Sequence, residues 1–194
     1  NGGKGGDGAV GHGGAVYLAG GSLTITNGTF TGNTARGGDG GTGGNASNNA
    51  GGGGHGAEGC GGAIYIKTGS LSISNSQFNG DSAIGGSGKN AGEGWQWGAH
   101  GGNGAGGYGG GIFVNSGLLY ISNSLFNGEI VNGGSAGYGS QGYNFSGRDG
   151  SVSSSGGLDI YRQNGTVTLS NVIFDIGEKS FHNSSPADPG QSTV

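Results

Sequence analysis

The sequence predicts an all-β protein, a right-handed parallel β-helix of about four coils with long, ordered glycine-rich insertions. Three observations lead to this prediction. One phrase recurs with a period of 48 residues, it alternates apolar and polar residues, and glycine, 56 of the 194 residues, is concentrated between its copies. A repeat this small cannot bury its own apolar face, so its copies are expected to stack on one another.

The repeated phrase has the pattern of a half-buried β-strand. It reads LTITNGTF from Leu23, LSISNSQF from Leu71, LYISNSLF from Leu119 and VTLSNVIF from Val167. Every second residue is apolar and points to one face, and stacking places equivalent residues at the strand spacing of about 4.8 Å. The phenylalanines that end the phrase form one such row: Phe30, Phe78, Phe126 and Phe174.

A second, shorter strand is predicted upstream of each phrase. It reads GGAVYL from Gly13, GGAIYI from Gly61, GGGIFV from Gly109 and, less regularly, GGLDIY from Gly156. Alternating apolar residues such as Ile64 and Ile66 are expected to join the same core.

One asparagine recurs within every phrase. The four residues, 48 positions apart, are Asn27, Asn75, Asn123 and Asn171. Stacked side-chain amides can hydrogen-bond to each other and to the backbone of a turn. The sequence therefore predicts an asparagine ladder at one corner of the coil.

The chain divides into one repeat domain, residues 1–178, and a polar tail, residues 179–194. Glycine-rich insertions cover about residues 35–59, 85–109 and 132–155 of the domain. The prolines and glycine of the tail are expected to break regular structure there.

The glycine insertions are expected to be ordered. Their GGX triplets favour extended segments with three residues per turn, similar to polyglycine and polyproline II, which pack closely only when the side chains are hydrogens. Tyr17, Tyr65 and Phe113 are the candidates for the contact between this layer and the strands. Ordered but irregular loops are the alternative.

Composition excludes several classes of protein. Only 9% of the residues are charged, and helix-forming residues do not recur with the 3.6-residue period of an amphipathic helix. The sequence therefore excludes a helical bundle and a doubly wound α/β fold. A net charge of −4 without a basic run argues against nucleic acid as a partner. No apolar stretch approaches the length of about 18 residues that spans a membrane. The single cysteine, Cys60, excludes an internal disulfide.

The paired motifs GGA(I/V) and FxxN resemble the repeats of the polymorphic outer-membrane proteins, a family of bacterial surface and autotransporter passenger β-helices. Residues 13–16 and 61–64 fit the first motif, and residues 30–33 fit the second in full. In later repeats Asp81, Glu129 and Gly177 replace the asparagine of FxxN. The resemblance covers the four strand segments and implies a secreted, surface-associated structural or adhesive protein.

The residues at this FxxN position suggest a metal site. Asn33, Asp81 and Glu129 are equivalent in successive repeats. Oxygen ligands about one strand spacing apart can bind Ca²⁺, so Asp81 and Glu129 are the calcium candidates. Exposed acidic turn residues would give the same pattern, and no further ligand is predicted nearby. No metal, cofactor or catalytic residue is therefore assigned.

Aromatic residues cluster in two of the insertions. Trp95 and Trp97 lie in one insertion, and Tyr138 and Tyr143 lie in the next. Exposed rings are frequent contacts for glycans and for protein partners. These four residues are the predicted ligand or partner contact, and packing of the rings against the glycine layer is the alternative.

Together these observations predict a non-catalytic extracellular structural protein, outside the cell or at the bacterial cell surface. Open strand edges can pair with an identical copy, head to tail, or with the remainder of a longer repeat chain. The start at Asn1 and the absence of methionine predict a mature product or a piece of a longer chain. A self-assembling filament or surface fibre is the preferred function.

Three alternatives remain open. A glycan-binding surface adhesin would use Trp95 and Trp97. An ice-binding protein would need a flat ladder of threonines, which the first repeat begins and later repeats do not sustain. A polysaccharide-active β-helix enzyme would need clustered acids and bases, and only Asp159 with Arg162 and Asp175 approaches such a cluster.

Overall fold

The computed structural model describes residues 1–175 and 181–183, and this part of the chain contains strands and turns but no helix. In chain order the strands are β1 Gly11–His12, β2 Val16–Leu18, β3 Ser22–Thr26, β4 Thr29–Thr31, β5 Thr34–Arg36, β6 Gly59–Cys60, β7 Ile64–Ile66, β8 Ser70–Ser74, β9 Gln77–Asn79, β10 Ser82–Ile84, β11 Gly107–Tyr108, β12 Ile112–Val114, β13 Leu118–Asn127, β14 Ile130–Asn132, β15 Ile160–Arg162, β16 Thr166–Asp175 and β17 Phe181–Asn183. The predicted all-β class is confirmed.

The strands form four sheets in which every pairing is parallel. Their orders are β1-β6-β11, β5-β10-β14, β2-β7-β12-β15-β17, and β3-β8-β13-β9-β4 with β16 added beside β13. Apart from β15 with β17, each pair joins residues 48 positions apart, for example Leu23 with Leu71 and Leu71 with Leu119. The period read from the sequence is therefore the register of the sheets.

The apolar core lies between the predicted strand segments. Apart from Ile160 of the fourth repeat, its fully enclosed members come from the second and third repeats, whereas other counterparts in the first and last repeats are only partly buried. The buried residues are Ala63, Ile64, Ile66, Leu71, Ile73, Phe78, Ile112, Val114, Leu119, Ile121, Phe126 and Ile160.

Two aromatic rows follow from the register. The rings of Phe30, Phe78 and Phe126 stack with centroids 4.7 and 4.4 Å apart, and Phe174 continues the row at 5.3 Å. A second row lies on the outer face of the β2-β7-β12 strands. There Tyr65 and Phe113 pack with Cys60 into a separate buried cluster.

Left-handed backbone explains the recurring asparagine. Asn27, Asn75, Asn123 and Asn171 have φ values of 56°, 50°, 47° and 53°, and they are the described non-glycine residues with positive φ. Asparagine tolerates this conformation better than other L-residues with a side chain. Side-chain pairing adds to the ladder at its end, where Asn171 Nδ2 donates to Asn123 Oδ1 at 2.8 Å.

The glycine insertions are held by backbone hydrogen bonds at every third residue. Gly37, Gly40 and Gly43 donate to carbonyl oxygens 47 positions later, at 2.8 to 3.0 Å. The next residue of each triplet donates instead to a different segment: Gly38 to Ala9, Gly41 to Gly6 and Gly44 to Gly3, at 2.7 to 2.8 Å. The third residue of each triplet, such as Asp39, lies at the surface.

Side chains would not fit between these segments. A Cβ at Gly37 would overlap the carbonyl group of Ala57, and a Cβ at Gly86 would overlap that of Gly38. Neither Gly37 nor Gly86 has a positive φ, so backbone conformation does not require glycine at these positions. Glycine is required there because the neighbouring backbone lies too close for a Cβ.

Three features differ from the sequence-based expectation. The sheets β1-β6-β11 and β5-β10-β14 were not predicted, and four of their strands, β5, β6, β11 and β14, overlap the ends of the predicted insertions. In the fourth repeat Gly157, not Gly156, is equivalent to Gly109, because Ile160 pairs with Ile112. Strand β17 falls within the predicted tail, whose remaining residues, from 184 onwards and at 179–180, lie outside the described part of the chain.

Candidate functional site

The glycine segments carry ordered tips at their outer ends. Residues 46–49, 94–97 and 142–145 occupy equivalent positions in successive repeats. Parallel bridges join Ala46 to Gly94 and Trp97 to Phe145. The Tyr143 N–H donates to the Trp95 carbonyl oxygen at 2.9 Å. The tips are therefore fixed to one another by backbone contacts.

Large aromatic side chains project from these tips into solvent. Trp95 is 84% exposed, Tyr143 93% and Tyr138 68%. Trp95 and Tyr143 are equivalent residues of adjoining repeats, so their Cα atoms lie about one strand spacing apart. The expectation that the rings pack against the glycine layer is wrong for these three residues, since nothing in the described structure covers them.

These rings border an open groove of about 970 Å³. Polar side chains of the glycine segments form the rest of its wall. The residues that line the groove are Asn45, Ala46, Ser47, Asn90, Ala91, Glu93, Gly94, Trp95, Tyr138, Gly139, Ser140, Gln141, Gly142 and Tyr143. Glu93 is the one charged side chain among them.

The amide side chains of the groove are held in place by hydrogen bonds from the protein, two of them from the neighbouring repeat. Asn45 Oδ1 accepts the N–H of Glu93 at 2.8 Å, and Asn90 Oδ1 accepts that of Tyr138 at 2.9 Å. Gln141 Oε1 accepts the Ser146 hydroxyl at 2.8 Å. Each oxygen is thus occupied by the protein, and the amide NH₂ groups are the donors left for a ligand.

The structure brings three of the four predicted aromatic contacts together. Trp95, Tyr138 and Tyr143 line the groove, whereas Trp97 does not and lies beside Phe145 in the neighbouring row. Sequence reasoning missed the polar residues of the groove. The repeat period carried the signal for some of them, because Asn45, Glu93 and Gln141 are 48 residues apart.

The calcium candidates lie elsewhere and are buried. Asp81 is fully buried, and its Oδ1 accepts both the N–H and the side-chain amide of Asn33 at 2.8 Å. Glu129 is 6% exposed, and its carboxyl group lies beside that of Asp159. The alternative of exposed acidic turn residues is therefore wrong for both.

Burial controls the protonation of these carboxyl groups. Desolvation raises the pKa of Asp81, against the lowering effect of the Asn33 donors. Desolvation, followed by the neighbouring Asp159 carboxyl, raises the pKa of Glu129 to about 9. A protonated Glu129 carries an O–H that can donate a hydrogen bond. Among the described residues no group of three or more His, Cys, Asp or Glu side chains is placed to hold a metal ion.

Cys60 is buried against Tyr65 and Phe113. Desolvation raises the pKa of its thiol to about 12. A thiol of this kind is a poor nucleophile, because the thiolate is the reactive form.

Comparison with known proteins adds no relative. No family model, curated protein or solved structure matches this chain. Within residues 1–175 and 181–183 no helix is long and apolar enough to cross a membrane.

Proposed function

We propose that this chain is a non-catalytic extracellular structural protein that assembles through its strand edges into a filament or surface fibre. Its fold in this proposal is a right-handed parallel β-helix of about four coils flanked by a polyglycine II-like layer. The parallel pairing at intervals of 48 residues supports the coil. The two glycines of each triplet donate hydrogen bonds to different segments, which supports the layer, because a threefold extended helix turns each successive residue toward a different neighbour.

The observation that carries the proposal is the open edge of the first repeat. Among the strands that the structure describes, β2, β3 and β4 each pair on one side only. Their inward side chains, among them Leu23 and Ile25, remain partly exposed, whereas the equivalent Leu71 and Ile73 are buried. Soluble proteins protect such edges with charge, proline or a covering segment. Within residues 1–175 and 181–183 none of these protects β3, whose residues are Ser-Leu-Thr-Ile-Thr.

A complementary edge lies at the other end. Among the described strands, β16 pairs only with β13, and its Val167 and Leu169 are partly buried. A second copy that continued the same register would place its Leu23 beside Val167 and its Ile25 beside Leu169. Completing the burial of such side chains contributes about 1 kcal/mol each. The contact is heterologous and does not close on itself, so it propagates.

Strand β17 is a competitor in this proposal. It pairs with β15, where β2 of a second copy would otherwise bind. Assembly therefore requires the incoming β2 to displace β17, whereas the β16 edge accepts β3 directly. The location outside the cell or at the bacterial surface is part of the proposal and is supported by the resemblance of the GGA(I/V) and FxxN motifs.

Negative-stain electron microscopy and sedimentation velocity over a range of concentrations test the proposal. We expect fibres of the wild-type protein and of Thr24→Lys, because Thr24 faces outward on β3. Ile25→Lys places a charge on the inward face of the same edge and is expected to abolish the fibres while circular dichroism stays native. Dispersed monomers of the wild type at every concentration would overturn the proposal. So would equal assembly of both variants.

A further inference from the structure

We infer that the groove at the tips of the glycine segments is a binding site for a neutral hexopyranose oligosaccharide. This inference goes beyond the structural role proposed above and is independent of it, since the groove lies on the insertions and the assembly edges lie on β3 and β16. Three properties of the groove lead to it: its rings, its fixed polar groups and its charge.

The rings provide an apolar platform. Trp95 and Tyr143 project from adjoining tips whose backbones are hydrogen-bonded at 2.9 Å. Both rings border the same groove, and Tyr138 also lines it. Exposure of 84% and 93% leaves both rings open to a ligand. The C–H face of a pyranose ring is flat and apolar, and it suits a stack on an aromatic face.

The polar groups match sugar hydroxyls. The amides of Asn45 and Asn90 are oriented by their bonds to the backbone of the next repeat, at 2.8 and 2.9 Å. Their NH₂ groups donate and the Glu93 carboxylate accepts. A hydroxyl both donates and accepts, so a wall with fixed donors and an acceptor binds it with little loss of side-chain freedom.

The charge of the groove selects among saccharides. Glu93 is its one charged side chain, and neither Lys nor Arg lines it. Uronate and sulfate polymers would meet an unpaired carboxylate without a cation to bind them. A neutral oligosaccharide meets no such repulsion. The open shape of the groove suits a chain that extends past both ends rather than a single enclosed sugar.

Tryptophan fluorescence provides the test. The protein has two tryptophans, so in Trp97→Phe the signal comes from Trp95 alone. The probes are the hexasaccharides of β-1,4-glucose, α-1,4-glucose and β-1,4-N-acetylglucosamine, with polygalacturonate as the anionic comparison. We expect at least one neutral hexasaccharide to change the fluorescence of this variant and to bind it within twofold of the wild-type affinity.

Calorimetry with the same hexasaccharide then separates the rings. Trp95→Ala and Tyr143→Ala are expected to weaken binding at least tenfold, while Trp97→Ala, a matched ring outside the groove, changes it less than twofold. The substituted side chains are exposed, and circular dichroism checks that the fold is retained. Absence of binding by every neutral probe, preference for polygalacturonate, or equal loss in Trp97→Ala would overturn the inference. So would sedimentation data in which Trp95→Ala abolishes a self-association of the wild type, since the rings would then be a protein contact.

Discussion

Replacing Gly86 with alanine is expected to destabilise the protein by about 2–4 kcal/mol. The new Cβ would overlap the carbonyl group of Gly38 in the adjoining segment. Overpacking of this kind costs about 1–3 kcal/mol. The backbone shift that relieves it weakens the bonds from Gly86 N–H to Ala57 at 2.8 Å and from Ala105 N–H to Gly86 at 3.0 Å, each contributing about 0.5–1.5 kcal/mol. Alanine restricts the unfolded chain and returns about 0.4–1 kcal/mol.

Gly6→Ala is the matched control. Gly6 is also the second glycine of a GGX triplet, yet no atom lies within 4 Å of the position of its Cβ. The same substitution there is expected to be neutral or stabilising by up to about 1 kcal/mol. Urea unfolding followed by circular dichroism measures both free energies. If the two variants differ from each other by less than about 0.5 kcal/mol, the close packing of the glycine layer does not determine its composition.

Three further predictions concern stability and reactivity. Burial raises the pKa of Glu129 from 4.5 to about 9. Between these two pH values the folded state holds a proton that the unfolded state has lost. The free energy of unfolding should therefore fall as pH rises from 4.5 to about 9, by up to about 1.4 kcal/mol per pH unit. Glu129→Gln should flatten the pH dependence of the unfolding free energy, and a steep slope retained in this variant would contradict the assignment. Asn75→Ala should lower the free energy of unfolding in urea by about 1 kcal/mol, because alanine tolerates the φ of 50° at this position less well than asparagine does. Asn75→Gly should lower it by less. The reverse order would show that the side-chain amide matters more than the backbone conformation. Cys60 should react with a thiol reagent only after unfolding, because it is buried with a pKa near 12, and rapid labelling of the folded protein would show that its cluster opens readily.

The sequence predicted the strand phrases and their register well. Leu71 and Ile73 alternate with serines, and this alternation together with the 48-residue period fixes both the inward face and the pairing partner. The two additional sheets were missed because strands such as Gly59–Cys60 are two residues long and carry no alternation. The fourth repeat was misaligned by one residue, since GGLDIY offers two glycines that could begin the strand. The correct register places Asp159 and Arg162 at positions that other repeats fill with small or apolar residues, and both are buried.

The candidate groove was only partly readable from the sequence. Its rings were noticed because tryptophan and tyrosine are rare in a glycine-rich chain, but the set that converges, Trp95 with Tyr138 and Tyr143, was not separable from Trp97. The burial of Asp81 and Glu129 was also not predicted. Turn positions with acidic residues are usually exposed, and only the packing of adjoining strands shows that these two are enclosed.

The sequence by itself determined the all-β class, the period, the partner of each main strand and the position of the recurring asparagine. These properties depend on residues related by a fixed offset or by a local backbone preference, and both are written in the order of the residues. The tertiary structure alone decided how the two arms of each glycine insertion pack, where they turn and which side chains meet at the tips. Glycine has no side chain, so its segments carry no apolar pattern, and their arrangement is set by backbone hydrogen bonds whose partners differ at successive residues of each triplet.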